Sequence, residues 1–329
     1  MAISVSEVNP SQRDIREIVA SIVQRELLPE AADSRTSWLY EQSPDGQAIC
    51  HLALDGPKPV GMAAAFPRTF EFSGRKRAWV LGDFAIDRQY RALGPAVQMQ
   101  RALLQSLESR GESWYDYPSS AMQAVYARIG ITSQRKISRW TYPLSVEPGP
   151  ELTRSLARFA SRQMLGLRSL LKRSRTTYRV EPLRGEFPGD VAGLASSASN
   201  FLGLLGARSP EFLEWRFHHC PGLIAQAEVL RDNSGKLRGY VVTAARRNRC
   251  VILDWIADSQ DGMFDLMLHT CRKARRELLE AVDCALPNGH LSSEILGSLG
   301  FIERESSSFF AGGPLKDAPW YVLDGDRES

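Results

Sequence analysis

The residues best suited to chemistry lie between positions 79 and 107, where an apolar run, a short turn and an amphipathic run follow one another. Residues 79–86 have the composition of a buried strand, and residues 97–107 carry apolar side chains at helical spacing. Backbone N–H groups at the start of a helix lack partners and carry a partial positive charge. The turn between the two runs therefore predicts a phosphate-binding site.

The turn offers several N–H groups to one anion. It consists of Arg91, Ala92, Leu93, Gly94, Pro95 and Ala96. Gly94 permits a close approach, because a Cβ atom there would meet the phosphate oxygens. Pro95 has no N–H group, but proline fits the first turn of a helix, where that group has no partner anyway. The alternative interpretation is an ordinary turn between a strand and a helix.

The form Arg-x-x-Gly-x-Ala resembles the acyl-CoA pyrophosphate loop of the GCN5-related N-acetyltransferase (GNAT) superfamily. Residues 86–91, Ile-Asp-Arg-Gln-Tyr-Arg, resemble the run that precedes that loop, with Arg88 where the family usually has proline. The resemblance implies that the six turn residues bind acetyl-CoA, or another acyl-CoA, as co-substrate. It also implies that Phe84, Ala85 and Ile86 line the pantetheine arm.

Tyr126 is the predicted general acid. It stands four residues before Gly130, and residues 124–131 resemble the GNAT helix that ends in Tyr-x-x-x-Gly-Phe, with Ile131 at the phenylalanine position. In that family the tyrosine hydroxyl protonates the departing CoA thiolate, so the resemblance implies this role here. A phenol suits it, because its pKa is about 10 and that of a thiol about 8.5. The alternative is a packing residue on a helix.

Asp83 is the nearest candidate for a general base. An alkylammonium group has a pKa of about 10.4 and must lose a proton before it attacks a thioester. Asp83 lies on the central strand and could accept that proton directly or through a water. Strand alternation places Asp83 and Asp87 on one face, and Phe84 and Ile86 on the other. The alternative is that Asp83 binds the backbone or faces solvent.

The second half of the chain repeats the first. Six positions lead from a tryptophan to a proline in both halves, from Trp38 to Pro44 and from Trp215 to Pro221. A hairpin with a glycine turn and a central strand follow each pair. We infer two copies of one fold.

The two copies differ where chemistry is expected. The central strand at residues 80–87 has its counterpart at residues 251–258, but the Arg-x-x-Gly-x-Ala turn is missing after the second. Leu296 takes the position of Tyr126. The order of elements predicts an α/β fold and is also the GNAT order. The resemblance implies two tandem acyl-CoA N-acyltransferase (GNAT) folds, each a mixed, mostly antiparallel sheet flanked by helices, with an active first copy and a degenerate second.

Three segments follow from this division. Residues 1–147 form the GNAT domain with the pyrophosphate loop, residues 148–176 a basic linker helix, and residues 177–329 the degenerate GNAT-like domain. Residues 152–180 contain eight Arg or Lys and no Asp or Glu. Residues 152–175 could pack between the domains or lie on an anionic membrane surface.

Composition excludes several classes of function. The chain has 329 residues, 43% hydrophobic and 24% charged, which is ordinary for a soluble globular protein. Five scattered cysteines without a Cys-x-x-Cys pair predict reduced thiols and no metal site. The net charge is +3, and the excess of basic residues is confined to residues 152–180. This distribution argues against nucleic acid as a partner. No signal peptide is evident, so we expect a cytoplasmic protein, with a peripheral location at the inner membrane face as the alternative.

The sequence thus predicts an N-acetyltransferase that moves an acetyl group from acetyl-CoA to a small-molecule amine, such as an amino sugar, by direct attack in a ternary complex. One alternative is a binding or scaffold protein on the same fold, without catalytic function. Another is an aminoacyl-tRNA-dependent peptidyltransferase, whose family also has two GNAT-like halves, although the intact pyrophosphate loop argues against it.

Overall fold

The computed structural model describes residues 3–28, 32–91, 93–133, 135–144 and 178–327. The sequence predicts a strand, two helices, three strands, a helix, a strand, a helix and two strands for the first half, and the described residues follow this order except that they end in one strand. The elements are β1 (Ser4–Val8), α1 (Arg13–Glu26), α2 (Ala32–Thr36), a π-helical turn (Ser37–Glu41), β2 (Ile49–Asp55), β3 (Lys58–Glu71), β4 (Arg75–Ile86), a 3₁₀ turn (Arg88–Tyr90), α3 (Leu93–Ser109), β5 (Ser113–Asp116), α4 (Ser120–Arg128) and β6 (Arg135–Pro143).

The second half repeats this order. Its elements are β7 (Arg179–Pro182), α5 (Val191–Leu202), β8 (Leu204–Gly206), α6 (Pro210–Leu213), a second π-helical turn (Glu214–His218), β9 (Ala225–Arg231), β10 (Leu237–Arg246), β11 (Arg249–Ala257), α7 (Gln260–Arg276), β12 (Ala281–Pro287), α8 (Leu291–Leu299), β13 (Ile302–Gly312), β14 (Trp320–Tyr321) and a 3₁₀ turn (Asp324–Asp326). A π-helical turn follows a short helix in both halves.

Strands from both halves form one continuous sheet, in the order β1-β2-β3-β4-β5-β13-β6-β12-β11-β10-β9-β7. The halves exchange strands at its centre. The end of β13 pairs with β5 and its beginning with β6, and β6 pairs in turn with β12. Each half therefore completes its sheet with a strand of the other. The division at residues 147 and 177 stays a prediction.

The two copies also meet at a pair of tryptophans. Trp38 and Trp215 are buried and stack with their ring centroids 4.5 Å apart. Each indole N–H donates to the backbone oxygen of the other residue, at 2.8 Å from Trp38 and 3.0 Å from Trp215. Reciprocal contacts of this kind arise when an approximate two-fold axis relates two similar units.

Apolar clusters cover both faces of the first half of the sheet. On one face α3 and α4 pack through Leu103, Leu107 and Tyr126 against Trp79 and Leu81. On the other face a larger cluster extends without interruption into the second half. The central strand β4 is thus buried at residues 78–81 and again at residues 85 and 86.

Some local predictions need correction. The helix starts at Leu93, so Gly94, Pro95 and Ala96 form its first turn and do not belong to the preceding loop. Residues 11–14, Ser-Gln-Arg-Asp, predict a helix capped by Ser11, but the N-cap of α1 is Gln12, without a side-chain hydrogen bond. The linker helix at residues 148–176 lies outside the described residues, so its contact with a membrane stays a prediction. In the described ranges, no helix combines the length and apolarity needed to cross a bilayer.

Candidate active site

The central strand β4 separates from β5 halfway along its length. Their parallel pairing ends at Val80 and Tyr115. Beyond this point Gly82, Asp83 and Phe84 are half-buried, although the β4 residues on either side of them are buried. The β4 backbone is accessible here, within a large sheet, and its edge can accept a hydrogen-bonding partner from outside the protein.

A β-bulge lies at the same point. The pairing of β3 with β4 shifts between Met62–Ala85 and Ala64–Gly82, so that Asp83 and Phe84 together face one residue of β3. Asp83 has a φ of 46°, in the left-handed region, which is costly for a residue other than glycine. The bulge redirects the Asp83 side chain to the face opposite α3.

The Asp83 carboxylate is held by two side chains that the sequence analysis did not identify. Arg35 donates from Nη1 to Oδ2 at 2.6 Å, and the Tyr40 hydroxyl donates to the same oxygen at 2.8 Å. Burial, followed by the charge of Asp83, raises the pKa of Tyr40 well above its usual value. Tyr40 therefore stays protonated and continues to donate. Oδ1 has no side-chain partner among the described residues, so it can still accept a proton.

The sequence contains a signal for Tyr40. When the copies are aligned on Trp38 and Trp215, Tyr40 corresponds to Phe217. The first copy therefore has a hydroxyl where the second has none, as with Tyr126 and Leu296.

The start of α3 follows β4 after the short 3₁₀ turn. Gly94 is exposed, and a Cβ atom added to it would have no neighbour within 4 Å. Ala92, just before the helix, lies outside the described residues, and an alanine has no side-chain oxygen that could cap a helix. Arg91 donates from Nη2 to Glu26 at 2.9 Å and from Nε to the Ile86 oxygen at 3.2 Å. The first turn of α3 is thus open to solvent and to a ligand.

The corresponding helix of the second copy is closed. Ser259 caps α7 by accepting from the Gly262 N–H at 3.2 Å. A Cβ atom on Gly262 would lie 3.0 Å from Ala257 Cβ and 3.1 Å from Leu230 Cδ2. Little space remains at this helix start for an anion.

The strand that precedes α7 is closed as well. Leu253, Asp254 and Trp255, the counterparts of Gly82, Asp83 and Phe84, are 3%, 0% and 0% exposed. The Tyr321 hydroxyl donates to the Trp255 backbone oxygen at 2.5 Å, and Gly325 packs against the Leu253 oxygen. The segment after β13 thus covers the edge of β11. The corresponding edge of β4 has no such cover among the described residues.

Tyr126 lies on α4, on the other face of the sheet from Asp83. It is fully buried, stacked against Phe310 with centroids 4.6 Å apart. Its hydroxyl donates to Asp116 at 2.6 Å and accepts from Gln100 at 3.1 Å. Burial, followed by the charge of Asp116, raises the pKa of Tyr126 well above its usual value. The residue therefore carries its proton at neutral pH, and its role as an acid stays a prediction.

The structure gathers the other predicted residues at two places. Phe84 and Ile86 belong to the apolar cluster under α3, and Ala85 to the cluster on the opposite face. Pro95 and Ala96 are half-buried at the helix start, and the Leu93 side chain is outside the described residues.

In the described part of the chain, no group of three or more His, Cys, Asp and Glu side chains is arranged to bind a metal.

Comparison with known proteins supports the assignment of the fold. Residues 15–131 match the family model described as the acetyltransferase (GNAT) family. This segment contains the bulge, the start of α3 and Tyr126. A search of curated proteins returned no match.

Solved structures match nearly the whole chain. A probable N-acyltransferase from Enterococcus faecalis is similar with a TM-score of 0.69 and 12% identity, over 95% of this chain and 73% of that one. A GCN5-related N-acetyltransferase from Anabaena variabilis has a TM-score of 0.67 and 14% identity, over 94% and 72%. N-myristoyltransferase from Saccharomyces cerevisiae, with bound myristoyl-CoA, has a TM-score of 0.56 and 10% identity, over 95% of this chain and 79% of that one. Residues 15–131 are thus similar to the GNAT family, and the chain has the mixed α/β architecture of GNAT folds.

Proposed function

We propose that this protein is an acyl-CoA-dependent N-acyltransferase that moves an acetyl group from acetyl-CoA to an amine by direct attack in a ternary complex. The GNAT domain supports acyl transfer in general. The single observation that carries the more specific proposal is that the edge of β4 beyond Val80, which no described strand pairs with on the β5 side, leads toward the exposed start of α3.

Two consecutive parts of an acyl-CoA, the pantetheine arm and the diphosphate, can bind at β4 and at the start of α3. The backbone at Gly82, Asp83 and Phe84 can pair with the amide groups of pantetheine, as a strand would. The N–H groups at the start of α3 can bind the diphosphate, and the helix dipole favours its charge. The neighbouring N-myristoyltransferase structure contains an acyl-CoA, which supports this assignment for the fold.

We infer that only the first copy binds the co-substrate. In the second copy Ser259 already caps the helix, and Tyr321 occupies the edge of β11. Both positions that would receive an acyl-CoA are therefore filled by the chain itself. The second copy would then stabilise the first and contribute to the acceptor site.

The two candidate proton-transfer groups lie on opposite faces of the sheet. Asp83 can accept a proton from the attacking amine through Oδ1, while Arg35 and Tyr40 hold Oδ2. Tyr126 can protonate the thiolate if its O–H turns from Asp116 toward the sulfur, since one hydroxyl hydrogen serves one acceptor. A strand N–H near Phe84 can stabilise the oxyanion.

The first test is direct. Acetyl-CoA well above its Kd should raise the melting temperature by several degrees. A panel of amines should then show release of free CoA thiol with at least one member. Absence of any thermal shift would favour a scaffold protein on this fold. Binding without thiol release from any amine would favour a sensor of acyl-CoA.

We expect Asp83→Asn to lower turnover about 100-fold and to leave the affinity for acetyl-CoA nearly unchanged, because a positioned base contributes at least this much. Steady-state thiol release and calorimetric titration measure the two quantities. Tyr40→Phe is the matched control, since it removes one hydrogen bond to Asp83 but keeps the carboxylate. Equal turnover of Asp83→Asn and the wild type would exclude Asp83 as the base.

Tyr126→Phe should lower turnover while the Kd for acetyl-CoA changes little. It should also lower the free energy of unfolding by about 1–3 kcal/mol, because the buried Asp116 loses a donor. Urea denaturation separates this loss from the kinetic effect. Gln100→Leu removes the other partner of the hydroxyl and serves as control. Unchanged turnover in Tyr126→Phe would remove this residue from the mechanism.

A further inference from the structure

A groove in the second half extends to the end of β5. It consists of two adjacent cavities of about 320 and 350 Å³ that share Arg246, Asp324 and Arg327 as lining residues. The Arg327 guanidinium lies 4.4 Å from the ring centroid of Tyr117, the residue directly after β5. The groove therefore approaches the place where β4 and β5 separate.

Most charged groups in this groove are already paired. Asp283 accepts from Arg249 at 2.5 and 2.6 Å, and Glu305 accepts from Arg139 at 2.6 Å. Arg216 is buried, and it donates to the backbone oxygens of Gly325 at 2.8 Å and Arg327 at 3.0 Å. These groups have little capacity left for a ligand.

Three donors in the shared part of the groove or next to it make no hydrogen bond among the described residues. Arg246 is exposed and makes no hydrogen bond or ion pair within the described ranges. Arg327 Nε is buried and lies 3.2 Å from Asp324 Oδ1, but without the alignment of a hydrogen bond. The Tyr117 hydroxyl is buried and likewise has no hydrogen-bond partner in the described part of the chain.

A ligand with hydrogen-bond acceptors would satisfy these donors. An exposed guanidinium alone is ordinary, because water solvates it. The Tyr117 hydroxyl and Arg327 Nε are buried donors without a hydrogen bond among the described residues, which is costly, and the Arg327 guanidinium lies over the Tyr117 ring. Guanidinium groups match the oxygens of carboxylates and phosphates.

We propose that the acyl acceptor is an amine that carries an anionic group, a carboxylate or a phosphate, and that Arg246 and Arg327 bind this group. This inference rests on the proposed function, because it places the acceptor beside the acyl-CoA site. Phe217, Leu223 and Leu253 also line the first cavity, so the acceptor has an apolar part next to the anionic one.

Calorimetric titration tests the proposal on the full chain without any need for turnover. The probes are N-acetylphenylalanine against its amide, and phosphoethanolamine against ethanolamine. The first pair detects a carboxylate site and the second a phosphate site. In one pair, we expect the anionic member to bind at least about tenfold more tightly, as a charge-assisted hydrogen bond provides.

Arg246→Gln should abolish this preference, while Arg247→Gln should keep it. Arg247 is the matched control, because it is the exposed neighbour and lines neither cavity. Equal binding within both pairs, or no binding of any probe, would overturn the proposal. Acetyl-CoA is titrated into the same samples. A wild type that prefers the anionic probe but does not bind acetyl-CoA would contradict the proposed function. A wild type that binds acetyl-CoA but shows no preference for the anionic probe would contradict this inference.

Discussion

Gly94→Glu should abolish binding of acetyl-CoA and leave the protein folded. The added side chain extends into open space at the start of α3, where we place the diphosphate of the co-substrate. A carboxylate beside a diphosphate costs several kcal/mol. The Kd should therefore rise at least about 100-fold, equivalent to about 3 kcal/mol. Isothermal titration calorimetry measures the affinity, and circular dichroism the fold.

Gly297→Glu is the matched control. Gly297 lies in α8 of the second copy, it is exposed, and a Cβ atom there would also have no neighbour within 4 Å. The same charge is thus added to an equally open helical glycine. If both variants bind acetyl-CoA like the wild type, the diphosphate does not lie at the start of α3.

The second large effect concerns stability. Arg208→Met should lower the free energy of unfolding by about 3–5 kcal/mol, because it leaves the buried Asp254 without its cation and the buried Asp326 with Arg68 alone. Arg208 donates to Asp254 at 2.7 Å and to Asp326 at 2.8 Å, and all three side chains are at most 1% exposed. Burial alone would raise the pKa of Asp326, but the charges of Arg208 and Arg68 outweigh it and keep that pKa below its usual value. Urea denaturation measures the loss.

Arg238→Met is the control for this experiment. Arg238 also pairs with two carboxylates, Asp232 at 2.9 Å and Asp258 at 2.6 Å, but its side chain is 31% exposed. Exposed ion pairs contribute about 0–1 kcal/mol. A loss in Arg208→Met no larger than that in Arg238→Met would mean that the buried ion pairs stabilise the fold no more than exposed ones do.

The order of elements and the location of the candidate site could be predicted from the sequence. Strands and helices produce local periodicities of apolar residues in a sequence, and the turn between β4 and α3 is recognised by its local composition. The repeat was visible because Trp38 and Trp215 stand at equal distances from a proline. The difference between the copies at Tyr126 and Leu296 was visible for the same reason.

The exchange of β6 and β13 could not be predicted. Two strands with similar patterns can take either neighbour, since pairing between distant segments leaves no local signal. The stacking of Trp38 on Trp215 depends on that same arrangement of the halves.

The bulge at Asp83 was also missed. Strand alternation gives the face of each side chain only while the register is regular, and one extra residue changes it. Arg35 and Tyr40 come from a separate helical segment, 48 and 43 residues before Asp83, so no spacing rule connects them to it. Only the contrast between Tyr40 and Phe217 hinted at their role.

A crystal structure of the protein with acetyl-CoA tests the central claim most directly. We expect the diphosphate oxygens about 3 Å from the backbone nitrogens at the start of α3, and the pantetheine beside Gly82, Asp83 and Phe84. Acetyl-CoA bound at β11 and α7, or at any other place while the start of α3 contains only water, would contradict the account.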